Sequence, residues 1–233
     1  MHLFYIPEIT RNYTSLSQSE SKHAIKVLRL GKGDTVQIID GKGGFYIGRI
    51  TEADQKHCRL KLVETQKEFG KRDFYLHIAI APTKNIDRFE WFIEKATEIG
   101  IDEITPLQTG HSERKVIKPE RLEKIVISAI KQSVKAYKPK LNEMTSFSQF
   151  ISKDRAGEKY IAHCYEEERP NLFNRVMKGD DVTILIGPEG DFTPDEVRQA
   201  WDAGFSGVSL GESRLRTETA GVVACHIVNL INT

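Results

Sequence analysis

The chain reads as an α/β protein in which a mostly parallel sheet, clothed by helices, follows a small strand-rich domain. Two rhythms and one seam predict this. From residue 74 onward, apolar strand-like runs alternate with amphipathic helical stretches, the order that builds a parallel sheet with helices on its faces. Before residue 70 the runs are short, β-rich and grouped around a single helical segment, as in a small β-barrel. The charged stretch 67–73 (KEFGKRD), with Gly70, is the seam, so the expected domains are 1–70 and 74–233.

In the first domain, 35–40 (TVQIID) and 45–51 (FYIGRIT) are strands joined through Asp40, Gly41, Lys42, Gly43 and Gly44, a hairpin-type connection. Residues 58–65 (CRLKLVET) alternate apolar with polar, as a half-buried strand does. A short helix, capped by Ser19 or Ser21, presents Ala24, Ile25, Val27 and Leu28 as its apolar face and stops at Gly31. The second domain opens with a strand over 75–81 (YLHIAIA). A helix over 85–99 follows, with Phe89, Phe92, Ile93 and Ala96 on its apolar stripe and Gly100 as its stop. Next come a strand over 101–107 and a helix opened by Pro119. Its Leu122, Ile125, Val126, Ala129 and Ile130 point inward, and Lys124, Lys131, Lys135 and Lys138 recur at helical spacing on another face. Residues 159–163 and 182–186 (VTILI) are strands, the second apolar enough to be central. Thr193, Pro194 and Glu196 form a capping box with proline at the first helical position, and that helix ends near Gly204. A last strand covers 207–210 and a very apolar last helix 219–231. Trp91 and Trp201, set among apolar neighbours, are expected to pack.

Composition narrows the function. Hydrophobic residues make up 39% and charged residues 29% of the 233, a globular balance and not that of a disordered chain. No apolar run approaches the ~20 residues that span a bilayer, and the start, MHLFYIPEITRNY, lacks a basic segment followed by an apolar one. A signal peptide and a membrane are therefore not expected. Cys58, Cys164 and Cys225 are scattered, which suits a reducing cytoplasm and supplies no disulfide framework. Neither they nor the histidines show metal-ligand spacing, so no metal is expected. Net charge is only +1, yet nine basic residues between 114 and 140 face only Glu120 and Glu123. Lys22, Lys26, Arg29 and Lys32 face no acid between 21 and 33. Two basic patches on a neutral chain point to a polyanionic partner or, more blandly, to solvated helix faces. The acidic run Glu166, Glu167, Glu168 reads as a solvated loop.

Two glycine-bearing turns carry the chemistry, both at the carboxyl ends of expected strands: 186–191 (IGPEGD) and 210–220 (LGESRLRTETA). Ligands of open α/β sheets bind at that end. Gly187, Gly190 and Gly211 remove side chains where a ligand would approach the backbone, whose N–H and C=O groups can bond an adenine edge. Taken singly, either turn is also an ordinary strand exit. Neither is a GxxxxGK[ST] phosphate loop, and no GxGxxG follows a strand, which weakens triphosphate and dinucleotide readings.

Together, LIGPEGDFTPDEV and LGESRLRTETA closely resemble the C-terminal signature of the SPOUT class of methyltransferases, and within it the RsmE-type 16S rRNA uridine-N3 methyltransferases. The resemblance runs along almost the whole chain, through HAIKVLRL with Gly33-Asp34, EKATEIG with Pro106-Leu107, and Lys131-Gln132-Ser133 ahead of Pro139. It implies a PUA-like RNA-binding barrel over 1–70 and a SPOUT domain over 74–233 that ends in a trefoil knot. It also implies a homodimer in the cytoplasm, with 16S rRNA of the 30S subunit as partner and S-adenosylmethionine as methyl donor. By carry-over, Leu107, Ile186, Gly187, Pro188, Glu189 and Gly190 from one side, and Leu210, Gly211, Leu215, Thr217 and Thr219 from the other, would surround the donor. The family pattern Leu-Gly-x-Arg-x-Leu-Arg meets Ser213 at its first arginine; here Arg214 stands one place later, and Arg216 stays in register.

The implied reaction needs N3 of uridine, the methyl carbon and the sulfonium in line, and a partner for the N3 proton. Arg216 is expected to stabilise charge on the uracil oxygens or to hold a phosphate. Glu218, or failing it Glu189, would accept the proton. The plainer role for Arg216 and Glu218 is an ion pair that ties down the threaded segment. His111 and Asp191 lie near by position and read first as turn or surface residues. RNA contacts are expected from Lys22, His23, Lys26, Arg29, Lys124, Lys131 and Lys135. Two other readings stay open: a SPOUT-class enzyme with another rRNA or tRNA target, and a non-catalytic RNA-binding assembly factor. A nucleotide hydrolase built on GPEGDF is more distant, for want of a metal site.

Overall fold

A computed structural model describes residues 2–9, 12–165 and 169–233; the acidic run Glu166, Glu167, Glu168 lies outside them. The chain divides into two compact units, Met1–Lys71 with Ile127–Lys138, and Arg72–Val126 with Pro139–Thr233.

The first unit contains β1 (Leu3–Tyr5), β2 (Tyr13–Ser15), α1 (Gln18–Lys22), β3 (Thr35–Ile39), β4 (Phe45–Glu52) and β5 (Arg59–Gln66). They form one five-stranded sheet in the order β1-β3-β4-β5-β2, antiparallel except where β1 runs parallel to β3. Phe4, Val36, Ile38, Ile50 and Leu60 from these strands bury Ala24. The helix start differs from expectation. Ser17 caps α1, accepting from the Glu20 N–H at 3.3 Å, whereas Ser21 is buried and bonds the Leu16 carbonyl and the Cys58 N–H. After Lys22 the backbone widens into a π-helical turn, His23–Val27, which shifts the side-chain register and leaves Val27 65% exposed where an apolar face was expected.

This unit is not one continuous stretch ending at 70. The helix opened by Pro119 stops at Gln132, Ser133 Oγ donates back to the Ala129 carbonyl at 2.7 Å, and Val134 takes a φ of 55°. That break lets Ile130 and Ala136 bury with Ile39, and the Ala136 carbonyl accepts from the Gly43 N–H at 2.9 Å. Lys135 and Lys138 accordingly lie beyond the helix and do not continue its lysine face.

The second unit contains β6 (Leu76–Ile80), α2 (Ile86–Ile99), β7 (Glu103–Gln108), the start of α3 (Pro119–Gln132), β8 (Lys140–Leu141), β9 (Thr145–Ser146), α4 (Phe147–Ile151) and β10 (Glu158–Ala162). It continues with β11 (Val182–Ile186), α5 (Pro194–Asp202), β12 (Ser206–Val208) and α6 (Thr217–Ile231). Its parallel sheet runs β12-β10-β11-β6-β7-β8, with β9 pairing β7. Every residue of β6 and β11 is buried, as centrally placed strands covered on both faces require. One face packs Phe92, Ala224, Cys225 and Val228 from α2 and α6; the other packs Phe147, Phe150, Phe192 and Val197. A Cβ on Gly221 would stand 2.6 Å from the Phe92 ring, so glycine there is what lets α6 approach α2. Trp91 and Trp201 remain 42% and 40% exposed, only half packed.

Candidate active site

At the carboxyl ends of β10, β11 and β12 lies a cavity of about 670 Å³, within the usual range for small-molecule sites. The two glycine-bearing turns converge on it. Ile186, Gly187, Pro188 and Glu189 line one wall; Leu210, Gly211, Leu215, Arg216 and Thr217 line another. Gly211 takes a φ of 127°, and a Cβ built on Gly187 would stand 3.1 Å from the Phe192 nitrogen, so neither position readily carries a side chain. Ala162, the last residue of β10, and His163, Cys164 and Arg169 beyond it form a third wall that sequence reasoning did not name. No sequence signal pointed to them, because their membership depends on β10 pairing with β11 and β12. Burial, followed by the neighbouring Asp191 carboxylate, pushes the Cys164 thiol above its ordinary pKa, so it is no ready nucleophile.

The 187–191 turn is bolted to three neighbouring loops. Glu189 Oε1 accepts from the Lys84 N–H at 3.0 Å, after β6. His111 Nδ1 stands 3.0 Å from the carbonyl oxygens of both Gly190 and Asp191, after β7. Asp191 Oδ2 accepts from the Cys164 N–H at 2.7 Å, after β10. Behind the turn, the expected capping box closes between Thr193 and Glu196, and Glu196 Oε1 also accepts from the Gly110 N–H at 2.7 Å. Arg114 adds a brace, donating to the carbonyls of Thr83 and Lys84.

Four expected residues stand off the cavity wall. Leu107 is fully buried in the cluster with Phe192. Gly190 faces His111, whose Cβ would be 3.2 Å from an added Cβ, and Thr219 is half-buried on α6. Glu218, in the first turn of α6, is 6% exposed; its Oε1 lies 3.8 Å from Arg88 Nε, and its Oε2 has no hydrogen-bond partner among the described residues. Arg216, by contrast, is exposed at the cavity rim, with Glu212, Ser213 and Arg214.

Of the expected RNA-contacting side chains, Lys22, His23, Lys26 and Arg29 are exposed on the first unit, Arg29 at a φ of 56°. Lys124 is exposed on α3. Lys131 is committed elsewhere, its Nζ 2.5 Å from Glu20 Oε1 and over the Phe4 ring, and Lys135 is half-buried.

A second cavity, about 700 Å³, opens at the opposite, amino ends of β6, β7 and β11. Its polar groups satisfy one another. Glu103 accepts from Tyr75 Oη at 2.7 Å, Asn142 Nδ2 at 2.6 Å and Lys140 Nζ at 3.0 Å, and His77 Nε2 pairs with Thr105 Oγ1 at 2.8 Å. Burial pushes His77 down to about 4, outweighing the carboxylate of Glu103. Glu103 itself is held at about 2, because the Asn142 and Tyr75 hydrogen bonds overcome its burial. Among the described residues, no group of three or more His, Cys, Asp or Glu could hold a metal ion, and no helix is long and apolar enough to cross a membrane.

Comparison with known proteins agrees with this geometry. An RNA methyltransferase domain matches residues 71–229, and an RNA methyltransferase PUA domain matches residues 16–63. The chain is 30% identical to a ribosomal RNA small subunit methyltransferase E of Synechocystis, over 96% of this chain and 75% of the relative. A structure described as a probable rRNA-methyltransferase from Porphyromonas gingivalis superposes with a TM-score of 0.93 at 43% identity, covering 100% of this chain and 98% of its own. A structure described as a putative methyltransferase from Legionella pneumophila with bound SAM superposes with a TM-score of 0.88 at 26% identity, covering 99% of this chain and 97% of its own.

Proposed function

Because the chain belongs to the RNA methyltransferase family that includes the ribosomal RNA small subunit methyltransferase E proteins, we propose that it methylates N3 of a uridine in 16S rRNA from S-adenosylmethionine. The observation that carries the reading is the meeting of the 187–191 and 210–217 turns on one cavity at the carboxyl edge of the sheet. Its size and its glycine-lined walls suit a nucleoside-sized donor approached by backbone groups. The bound donor supplies a methyl group activated on a sulfonium.

The chain's own residues do the rest. Gly187, Pro188, Glu189, Leu210, Gly211, Leu215 and Thr217 hold and orient the donor, with Leu107, Gly190 and Thr219 supporting that wall. Positioning of this kind can supply roughly 7–11 kcal/mol of a barrier. Arg216, exposed at the rim, offsets negative charge on the uracil oxygens as the N3 proton leaves. Glu218 is the proposed acceptor of that proton, although it stands off the cavity wall and its unpartnered Oε2 is buried among the described residues. The basic side chains Lys22, Lys26, Arg29 and Lys124 contact phosphates, with His23 beside them. The C-terminal knot of the SPOUT class and a cytoplasmic setting belong to the same reading. So does a homodimer, for which α6 offers the half-buried Thr219 and Val223 and the exposed Leu230 on one side.

Nucleoside mass spectrometry of 30S subunits treated with wild-type, Arg216→Ala and Glu218→Gln proteins is the test. Wild type should yield 3-methyluridine, and each variant should lose about 10²–10⁴-fold in rate. Near-normal rates in both folded variants would remove these two residues from the chemistry, and a different methylated nucleoside would overturn the uridine assignment.

A further inference from the structure

We propose that Asp191 is a positioning residue that fixes the width of the donor cavity, a role that rests on the cavity being the donor site. Asp191 sits in the left-handed region, φ 60°, where glycine would be unstrained. Something must offset that cost, and its carboxylate does. Oδ1 accepts from the Phe192 N–H at 2.8 Å, and Oδ2 accepts from the Cys164 N–H at 2.7 Å. Its own N–H donates to the Pro188 carbonyl at 3.0 Å, which closes the turn.

The consequence is geometric. Cys164 and Gly187 to Glu189 belong to different walls of the cavity, one following β10 and the other following β11. The strands beneath are hydrogen-bonded up to Ala162 and Ile186 and no further. Beyond those residues, the Asp191 carboxylate joins the β10 exit directly to the turn, across a sequence separation of 27. Two backbone donors on one carboxylate make a charge-assisted clamp of a kind that holds geometry firmly. His111 and Glu189 hold the far side of the turn, and on the near side Asp191 is joined by Tyr165, whose Oη donates to the Phe192 carbonyl at 2.6 Å; of the two, Asp191 is the one that bonds the Cys164 wall itself.

Two substitutions isolate this role. In Asp191→Asn, the amide NH₂ must face one of the two backbone N–H groups, so one bond is lost while the shape stays. Asp191→Gly removes both bonds while relieving the φ 60° strain, which offsets part of the loss, and a urea titration confirms that the variant used is folded. Calorimetry with S-adenosylmethionine on the wild-type protein comes first: no binding there fails the donor site itself, and the clamp with it. Given wild-type binding, both variants should bind about ten-fold more weakly or worse, the usual scale for a lost charge-assisted bond. The KM for S-adenosylmethionine should rise by the same factor, while kcat at saturating donor and the KM for 30S subunits stay within about two-fold. Wild-type donor affinity in Asp191→Gly overturns the proposal. So does an equal fall in kcat and kcat/KM with donor affinity unchanged.

Discussion

Acidification from pH 7 to pH 4 attacks the amino-end network at one imidazole. His77 is 5% exposed, bonded to Thr105 Oγ1, and depressed to about 4 chiefly by burial. An unfolded histidine takes its proton near the ordinary 6.5, so between 6.5 and about 4 the unfolded state binds a proton that the folded state refuses. The contribution is therefore whole above pH 6.5 and drains away as pH falls toward 4, at a cost of about 3 kcal/mol. Glu103 answers in a lower window. With its carboxyl held at about 2 against an ordinary 4.5, its contribution persists above 4.5 and is lost below it. The two windows separate in a series of urea titrations between pH 7 and pH 3, with wild type compared against His77→Asn, which cannot titrate. Wild type should lose about 3 kcal/mol more than the variant between pH 7 and pH 4, and the curves should run parallel below that. Parallel curves across the whole range would refute the reasoning, since they would mean that His77 charges in the folded protein as easily as in the unfolded one.

Gly221→Ala should cost about 1–3 kcal/mol by urea denaturation, because the added Cβ meets Phe92 at 2.6 Å and Ile80 at 2.8 Å. An unchanged midpoint would show that α6 has slack against α2. Leu230→Asp, at a side chain 52% exposed, should turn the proposed dimer into a monomer in sedimentation analysis; an unchanged mass would remove Leu230 from the interface. Binding of rRNA should weaken with salt at a log–log slope of roughly −0.7 to −0.9 per phosphate neutralised, and Lys26→Ala should reduce that slope by about 1. A slope untouched by Lys26→Ala would clear the first unit's basic patch of phosphate contact.

What was legible in the sequence was what its partners decide within a few residues. The Thr193–Glu196 capping box, the α2 stripe with its Gly100 stop, and the VTILI strand all announced themselves, because helix caps and strand burial are set by near neighbours and composition. The two turns were legible for a similar reason: glycine at 187 and 211 and the strands just before them are local facts. Strand order is not local. Nothing within β10 says that it lies between β11 and β12, so its exit residues Cys164 and Arg169 gave no sign that they would wall the same cavity. The same limit explains the return of 127–138 to the first unit, since an apolar stripe on α3 states that residues bury and not which core receives them. Glu196 holds both cases in one side chain. Its Oε2 accepts from Thr193 three residues away and could be foreseen, whereas its Oε1 accepts from Gly110 across 86 residues and could not. The long-range bond ties the loop after β7 to the start of α5, behind the very turn on which the cavity at the carboxyl ends depends. Site geometry here is thus built largely from contacts that no window of sequence contains, around backbone turns that a short window does.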